Sequence, residues 1–486
     1  MSELCEPRSV PEARAVPGPR AVPDLVAPPP TSLCARTVPL GPLATGPVDP
    51  VGLATAAADG FLLLGARGAV ASTGVAAVLR LPGGLRPDSA PAVARWLAAV
   101  PVADELCRPA SGVVAVGALP FAPGEAAALV VPRVTVVSTA AGERWATVVV
   151  PAADGAGGRP LDEAAAAGLL AATLAGGAVA TGHAGDAGSS TDEGTVSGPL
   201  LDMRLWPDGP GFERAVERAL RAIADGQLSK VVLARQVAAR FAGPVDQEAV
   251  LRRLQRLEPA CAVFAQRTRG RAFLGASPEL LVRRRGATVV SHPLAGTAAL
   301  RPSVEVAAAR LASVKEQAEH AAAAAAVAGR LGTWCEDLTV PDRPSLVRLA
   351  SVVHLGTRMV GRLRPAAGGH PPDALTLAAA LHPTPAVAGV PTDAALAAIS
   401  RLEAHGRASY AGPVGWVDAR GDGELVVAIR SAAVDGSRAV AYAGAGIVAG
   451  SEPAAELAET TLKLRTALDA LGLAADDDRP SIRSVG

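Results

Sequence analysis

The chain has 486 residues, half of them apolar and 19% charged, enough for a substantial core in one large domain or several smaller ones. Its 46 basic and 46 acidic residues balance, and no long basic run occurs, so no nucleic-acid partner is expected; phosphate binding needs clustered Lys and Arg. No apolar run reaches the ~18–20 residues of a membrane helix and the proline-rich start lacks an apolar signal core, so no membrane partner and a cytoplasmic location are expected. The five cysteines, at 5, 34, 107, 261 and 335, stand at no zinc-ligand or CxxC spacing and are expected to be reduced thiols.

In chain order, residues 1–50 are rich in Pro, Ala and Val with little periodicity. They read as a flexible extension whose removal, to about residue 45, should leave activity intact. Residues 51–199 alternate short apolar runs with Gly and Pro. The runs 113–119, 128–131 and 145–150 look like strands of a mixed layer, and 175–199, small and polar, reads as a Gly/Ser linker. Beyond it, Phe212, Val216, Leu220 and Ile223 recur at helical spacing and Gly226 ends the run. Strands are expected over 228–241 and 271–275, and one long Ala-rich helix over 304–331. Pro383, Pro385 and Pro391 make a stiff loop, and strands follow at 414–417, 425–432 and in AVAYAGAG. A last helix runs from about Ser451, its N-cap, to Leu471, with 474–486 as a tail. Strands outnumber helices and many are close enough in sequence to pair antiparallel, which gives an α+β class.

Four residue groups can carry chemistry. Glu316 and Glu319 lie three apart on one helix face, flanked by Ala312 and Ala323. That makes either an acidic notch or an ordinary solvated face with Lys315 paired to Glu319; spacing alone favours the second. Glu456, Glu459 and Lys463 share a face of the last helix, and a solvated Glu–Lys pair fits them equally. Taken together, four carboxylates from two helices are hard oxygen ligands suited to magnesium, with no His–Cys set competing for a softer metal. Lys230 precedes Val231, Val232 and Leu233; buried there it could serve as a base, whereas at a strand edge it would snorkel to water. Glu279 follows an apolar strand and is either a proton donor or a turn carboxylate, and His354 is as easily a core histidine as a site contact.

The order of these segments resembles the chorismate-utilising enzymes of menaquinone, siderophore and tryptophan biosynthesis. The matching strings are KVVLAR (230–235), FLGASPELL (273–281), PLAGTA (293–298), KEQAEHA (315–321), VVHLGT (352–357), LHPTPAVAGVP (381–391), YAGPVGW (410–416), VAIRSA (427–432) and AGAGIVAGSEPAAELAETTLK (443–463). They cover about 210–473, and nine strings in order are far more specific than one. The resemblance implies a single large α+β domain of stacked antiparallel sheets and outer helices, with 51–199 as its N-terminal part and 200–473 as the chorismate-binding catalytic region. It implies Mg2+ on Glu319 and Glu459 with Glu316 and Glu456 beside it, Lys230 as general base and Glu279 as general acid. It places Gly296, Thr297, His354, Gly389, Tyr410, Arg430, Gly446 and Lys463 around the substrate, chorismate.

Within that family, aminodeoxychorismate synthases carry a lysine where Ala295 stands, ammonia-using members a glutamine where Lys230 stands, and salicylate synthases a threonine where Ala386 stands. These positions imply isochorismate synthase: water activated by Lys230 adds at ring carbon 2 while Glu279 protonates the hydroxyl leaving carbon 4. No glutamine amidotransferase partner is expected. Salicylate synthase, which adds pyruvate elimination, and a catalytically silent chorismate-binding protein are the alternatives. One local departure stands out: glycine commonly lies two residues before the aromatic, and here the position holds Ala408.

Overall fold

The computed structural model describes residues 25–41, 48–152, 159–180, 196–365, 371–473 and 483–484. Two large, mostly antiparallel sheets stack face to face, and a three-stranded sheet lies beside them. The longest strand, Lys230–Phe241, pairs along its whole length with Arg438–Val448, which continues through Ser431–Asp435, Arg271–Ser277 and Ala262–Thr268. The N-terminal part of the chain extends that sheet through Gly60–Gly65, Gly68–Thr73, Val134–Thr139, Arg144–Pro151 and Leu33–Pro39. The second sheet also mixes the two halves: Pro413–Asp418 pairs with Gly423–Val427 on one side and with Val114–Ala118 on the other. The two halves therefore interleave in one α+β body and cannot separate as domains.

Burial follows from this stacking. Phe61, Leu63, Trp145 and Phe264 from the first sheet meet Val116, Val414, Trp416 and Val426 from the second. The outer face of the large sheet is covered by helices Gln247–Leu257 and Pro453–Ala470, whose Val250, Leu254, Leu464 and Ala467 are buried in one cluster with Val263 and Ala441. Two helices, Gly209–Ala224 and Gln247–Leu257, are capped by an aspartate. Asp208 and Asp246 accept hydrogen bonds from Gly211 and Ala249, satisfying donors the helix leaves open. No helix among the described residues is long and apolar enough to cross a membrane, and the four described cysteines are free.

The structure corrects the sequence reading in several places. Residues 33–39 of the expected extension form a strand paired with Arg144–Pro151, with Leu33, Ala35 and Val38 buried. A strand buried on both faces shows no alternation to mark it among the prolines. The first part of the expected 175–199 linker belongs to the helix Glu163–Ala180, and 181–195 lie outside the described residues. The single helix expected over 304–331 is two, Val304–Leu311 and Val314–Gly332, because the Ser313 hydroxyl accepts from Glu316 N and starts a new helix. The strand expected over 425–432 breaks between Gly423–Val427 and Ser431–Asp435, where Arg430 takes a left-handed φ of 54°. Ser451 does not cap the last helix; Glu452 stands at its cap position, and Ser451 Oγ instead accepts from Val448 N at 3.2 Å. Of the expected tail only 483–484 are described, paired with Arg204 and Leu205.

Because Leu33–Pro39 is inside the sheet, deleting residues 1–45 removes buried apolar area and the 3.0 Å contact between the Thr37 and Thr147 hydroxyls. The deletion should lower unfolding free energy by about 3 kcal/mol or more in denaturant titration, since each buried Leu or Val contributes ~1.5–3 kcal/mol. An unchanged midpoint would show the strand to be dispensable.

Candidate active site

Lys230 opens its strand between two partners, with Val390 on one side and Val448 on the other, so its backbone is fixed from both edges. Its side chain is only 4% exposed and its Nζ lies 2.8 Å from Glu319 Oε1. Snorkelling to water is therefore ruled out. Lys315 does not pair with Glu319; it reaches the last helix instead, 3.3 Å from Glu456 Oε1. Glu459 and Lys463 form the i,i+4 pair their spacing allows, at 2.6 Å, and Lys463 also donates to Gly444 O at 3.1 Å.

A cavity gathers most of the predicted residues. Lys230, Glu279, Gly296, Thr297, Glu319, His354, Tyr410, Arg430, Gly446, Glu459 and Lys463 all line it, as does Ala386. Three predicted residues do not. Gly389 sits behind Lys230, with its φ at 144° and its Cα against the Lys230 carbonyl, so it supports the lysine's backbone and does not line the cavity. Glu316 and Glu456 lie off the cavity wall. Glu316 Oε2 accepts from Thr297 N at 3.0 Å, and Glu456 is held by Lys315.

Close approach explains two glycines. A Cβ on Gly446 would lie 2.7 Å from Glu319 Oε1 and 2.9 Å from Lys230 Cε, so a side chain there would push the ion pair apart. Gly296 has φ 74° at a register shift between Leu294–Ala299 and Val352–Gly356. That irregularity turns the Gly296 carbonyl to His354 and the Thr297 amide to Glu316.

His354 is buried, with Nδ1 3.0 Å from the Gly296 carbonyl and Nε2 3.1 Å from Arg430 Nη2. A guanidinium only donates, so Nε2 is the acceptor and Nδ1 carries the proton. Burial, then the charges of Arg430 and Lys463, hold its pKa well below the usual histidine value, and the ring is neutral. Arg430 is itself aimed inward by its left-handed backbone, a conformation costing an L-residue roughly 1–2 kcal/mol.

Burial raises the Glu279 carboxyl to about 7, against the opposing pull of the Leu294 amide, Lys230, Arg430 and Lys463. It is a carboxylic acid that can hold a proton near neutral pH. Burial and the neighbouring Glu319 raise Glu316, and burial and Glu459 raise Glu456. Burial pushes Glu319 up as well, but Lys230 outweighs it and the net shift is downward. Carboxylates that raise one another across two helices make a region of unbalanced negative charge, a donor set suited to a hard divalent cation. Among the described residues no three acidic, His or Cys groups are already converged as a cage. The arrangement fits an ion held by few carboxylates that keeps its waters, as magnesium does.

Sequence reasoning missed Arg407, which is buried in the cavity wall. It donates to the Val387 and Val232 carbonyls at 2.8 Å each, pairs with Glu403 and lies 4.3 Å over the Phe121 ring. One guanidinium thus ties the Ala386 loop to the strand bearing Lys230. The i,i+4 spacing of Glu403 and Arg407 was its only sequence signal. Ala408, next to it, has φ 48°, which explains why glycine is the easier residue at that position. Tyr410 stacks on Tyr442 with ring centroids 5.1 Å apart, and burial pushes its hydroxyl up to about 12, so it stays a neutral phenol.

Residues 186–472 match the model of the chorismate binding enzyme family. The chain is 43% identical over 291 residues to the isochorismate synthase DhbC of Bacillus subtilis, covering 57% of this chain and 71% of the relative. It is 37% identical over 279 residues to the isochorismate synthase EntC of Escherichia coli K12, covering 56% of this chain and 70% of that one. In three dimensions it resembles MenF, the menaquinone-specific isochorismate synthase of Escherichia coli, with a TM-score of 0.69 at 27% identity over 90% of this chain and 94% of the other. The chain belongs to the chorismate binding enzyme family.

Proposed function

We propose that the protein is a magnesium-dependent isochorismate synthase, converting chorismate to isochorismate. The observation that carries this reading is the pairing of a buried lysine, Lys230, with a buried carboxylic acid, Glu279, in one cavity beside a carboxylate fork. Arg430 offers a guanidinium to the enolpyruvyl carboxylate, and the Tyr410 phenol stands near it; a planar fork suits that recognition. Neutral His354, fixed by Gly296 and Arg430, packs against the ring without adding charge. Lys230, as the free amine, removes a proton from the water attacking carbon 2. Glu279 delivers one to the hydroxyl leaving carbon 4, so the reaction is balanced with no other co-reactant. Glu319 and Glu459 would hold magnesium, with Glu316 and Glu456 close by, and the ion would supply positive charge to the ring carboxylate. Relatives named isochorismate synthases, and Lys230 and Ala386 in place of glutamine and threonine, support this reading over amination or pyruvate elimination.

The decisive experiment is incubation with chorismate and magnesium, with products separated at early times. Isochorismate should accumulate first, with salicylate and pyruvate minor, because the methyl of Ala386 gives the cavity no hydroxyl at the substrate loop. Pyruvate released in step with chorismate consumption from the first turnovers would replace this reading with salicylate synthase.

Glu279 sets a pH limb. Its carboxyl is raised to about 7 and the acid must be protonated to donate, so the active form prevails below that value and is lost above it. The Glu279 limb of kcat/KM should fall about tenfold per unit above about 7 on this account. Glu279→Gln should lose on the order of a hundredfold or more and no longer show the limb. A variant that retained both the rate and the limb would exclude Glu279 as the acid.

Chelation should abolish turnover and added magnesium restore it. Glu459→Gln, which removes one charged ligand but leaves the Lys230–Glu319 pair, should raise the magnesium concentration for half-maximal activity by roughly tenfold or more. If this variant worked in chelator as well as the wild type does in magnesium, the metal assignment would be withdrawn.

A further inference from the structure

The strand Lys230–Phe241 is paired along one edge by Arg438–Val448, but its other edge is interrupted. Gly389–Val390 covers Lys230 and Val231, and Leu200–Trp206 covers the strand from Gln236 onward. Between them, no strand among the described residues faces 232–235. Buried main-chain groups in that gap still need partners.

Two side chains fill it. Glu403, at the end of the helix Thr392–Leu402, accepts from Ala234 N at 2.9 Å. Arg407 donates from Nη2 to Val232 O and from Nη1 to Val387 O, each at 2.8 Å. Its Nε donates to Glu403 Oε2 at 2.9 Å, and Nη2 also meets Glu403 Oε1. The Val232 amide goes to Ala388 O at 2.8 Å, so the same gap holds the loop as well. The ion pair is only 2% and 8% exposed, and the guanidinium lies over the Phe121 ring. Removing one charge would leave the other buried without water. Four of the five guanidinium donors are committed to the protein, so Arg407 lines the catalytic cavity with little left to offer a ligand.

We propose that the Glu403–Arg407 pair is a positioning device for the reaction: it stands in for a missing strand and holds the Lys230 backbone and the Ala386–Val387 wall at one spacing. This rests on the reading of Lys230 as the group that activates water. Loosening the pair shifts Lys230 against the ring but leaves Arg430 and Lys463 to hold the carboxylates. Rate then falls while affinity is kept, because a displacement of about 1 Å at a reacting group costs on the order of a hundredfold. Lysine cannot replace Arg407, since one ammonium lacks the planar fork that reaches Glu403 and both carbonyls.

Steady-state kinetics of Arg407→Lys and Glu403→Gln test this, with kcat taken per folded molecule from thermal unfolding curves. Arg407→Lys should lose kcat at least about tenfold with the chorismate KM within about threefold of the wild type. The Glu279 limb should stay at about 7, because the acid is not moved. Arg284→Lys is the stability control: it weakens another buried ion pair, 3.2 Å from Asp422, that does not line the catalytic cavity. It should lower Tm yet keep kcat within about twofold. Should Arg407→Lys fail to fold, Glu403→Gln carries the comparison. Glutamine still accepts from Ala234 N but drops the charge, and kcat should fall about threefold or more. Wild-type kcat per folded molecule in both variants, or a loss carried by KM alone, would overturn the proposal. An equal kcat loss in Arg284→Lys would reduce the effect to general stability and overturn it too. A wild type that forms no isochorismate would strike the proposed activity, and this role with it, before any variant is compared.

Discussion

The 2.8 Å contact between Lys230 Nζ and Glu319 Oε1 joins the longest strand of the large sheet to the helix Val314–Gly332, and the rest of the site is arranged around it. Both side chains are nearly removed from water, so neither charge could stay there alone; losing one partner of such a pair costs about 3–5 kcal/mol. The pair therefore fixes how the helix sits on the strand. It dictates glycine at 446, where any side chain would enter the space between the two groups. It also requires that the lysine's neighbours be closed around it, which the strand partners Val390 and Val448 achieve.

Around that pair the cavity separates its charges. Lys230, Arg430 and Lys463 are cations facing it, while His354 between two of them is kept neutral by burial and by the same cations. A dicarboxylate substrate suits this set, because each cation gains a partner without an additional positive ring competing. Glu279 occupies the opposite regime. Burial raises it by more than the three cations lower it, so the same field that favours anionic ligands still leaves one acid that holds its proton up to about pH 7. The acid thus owes its role to desolvation, and Glu319 fixes where the Lys230 nitrogen stands.

Much of this was legible in the sequence where chemistry and periodicity coincide. Lys230 before three apolar residues, Glu279 after an apolar strand, and Glu319 and Glu459 from the i,i+3 pairs line one cavity, while Glu316 and Glu456 lie off its wall. What was not legible depended on tertiary partners. Lys315 and Glu319 are a plausible helical pair, yet the fold turns Lys315 to Glu456 and gives Glu319 to a lysine 89 positions earlier in the chain. Arg407 carries no motif of its own; its importance comes from the carbonyls of Val232 and Val387, which are distant in sequence. Residues 33–39 looked like linker because a strand buried on both faces shows no alternation, and the pairing that orders it lies over a hundred residues away. The breaks at Ser313 and Arg430 were missed because both lie inside runs of otherwise good helix or strand formers.

Arg430 shows why that last failure was informative. A strand continuing straight from Gly423–Val427 into Ser431–Asp435 would be cheaper locally, since the left-handed residue costs roughly 1–2 kcal/mol. The bend hands the chain from one large sheet to the other: Gly423–Val427 pairs within the second sheet and Ser431–Asp435 within the first. At that crossing the Arg430 carbonyl accepts from Ala276 N, which anchors the turn, and its side chain is left pointing between the sheets at His354. The cavity exists where the chain changes sheets, and the strained residue there is the one whose guanidinium the proposed reaction needs. Local conformational preference is overruled at this point by the crossing of the chain between two stacked sheets.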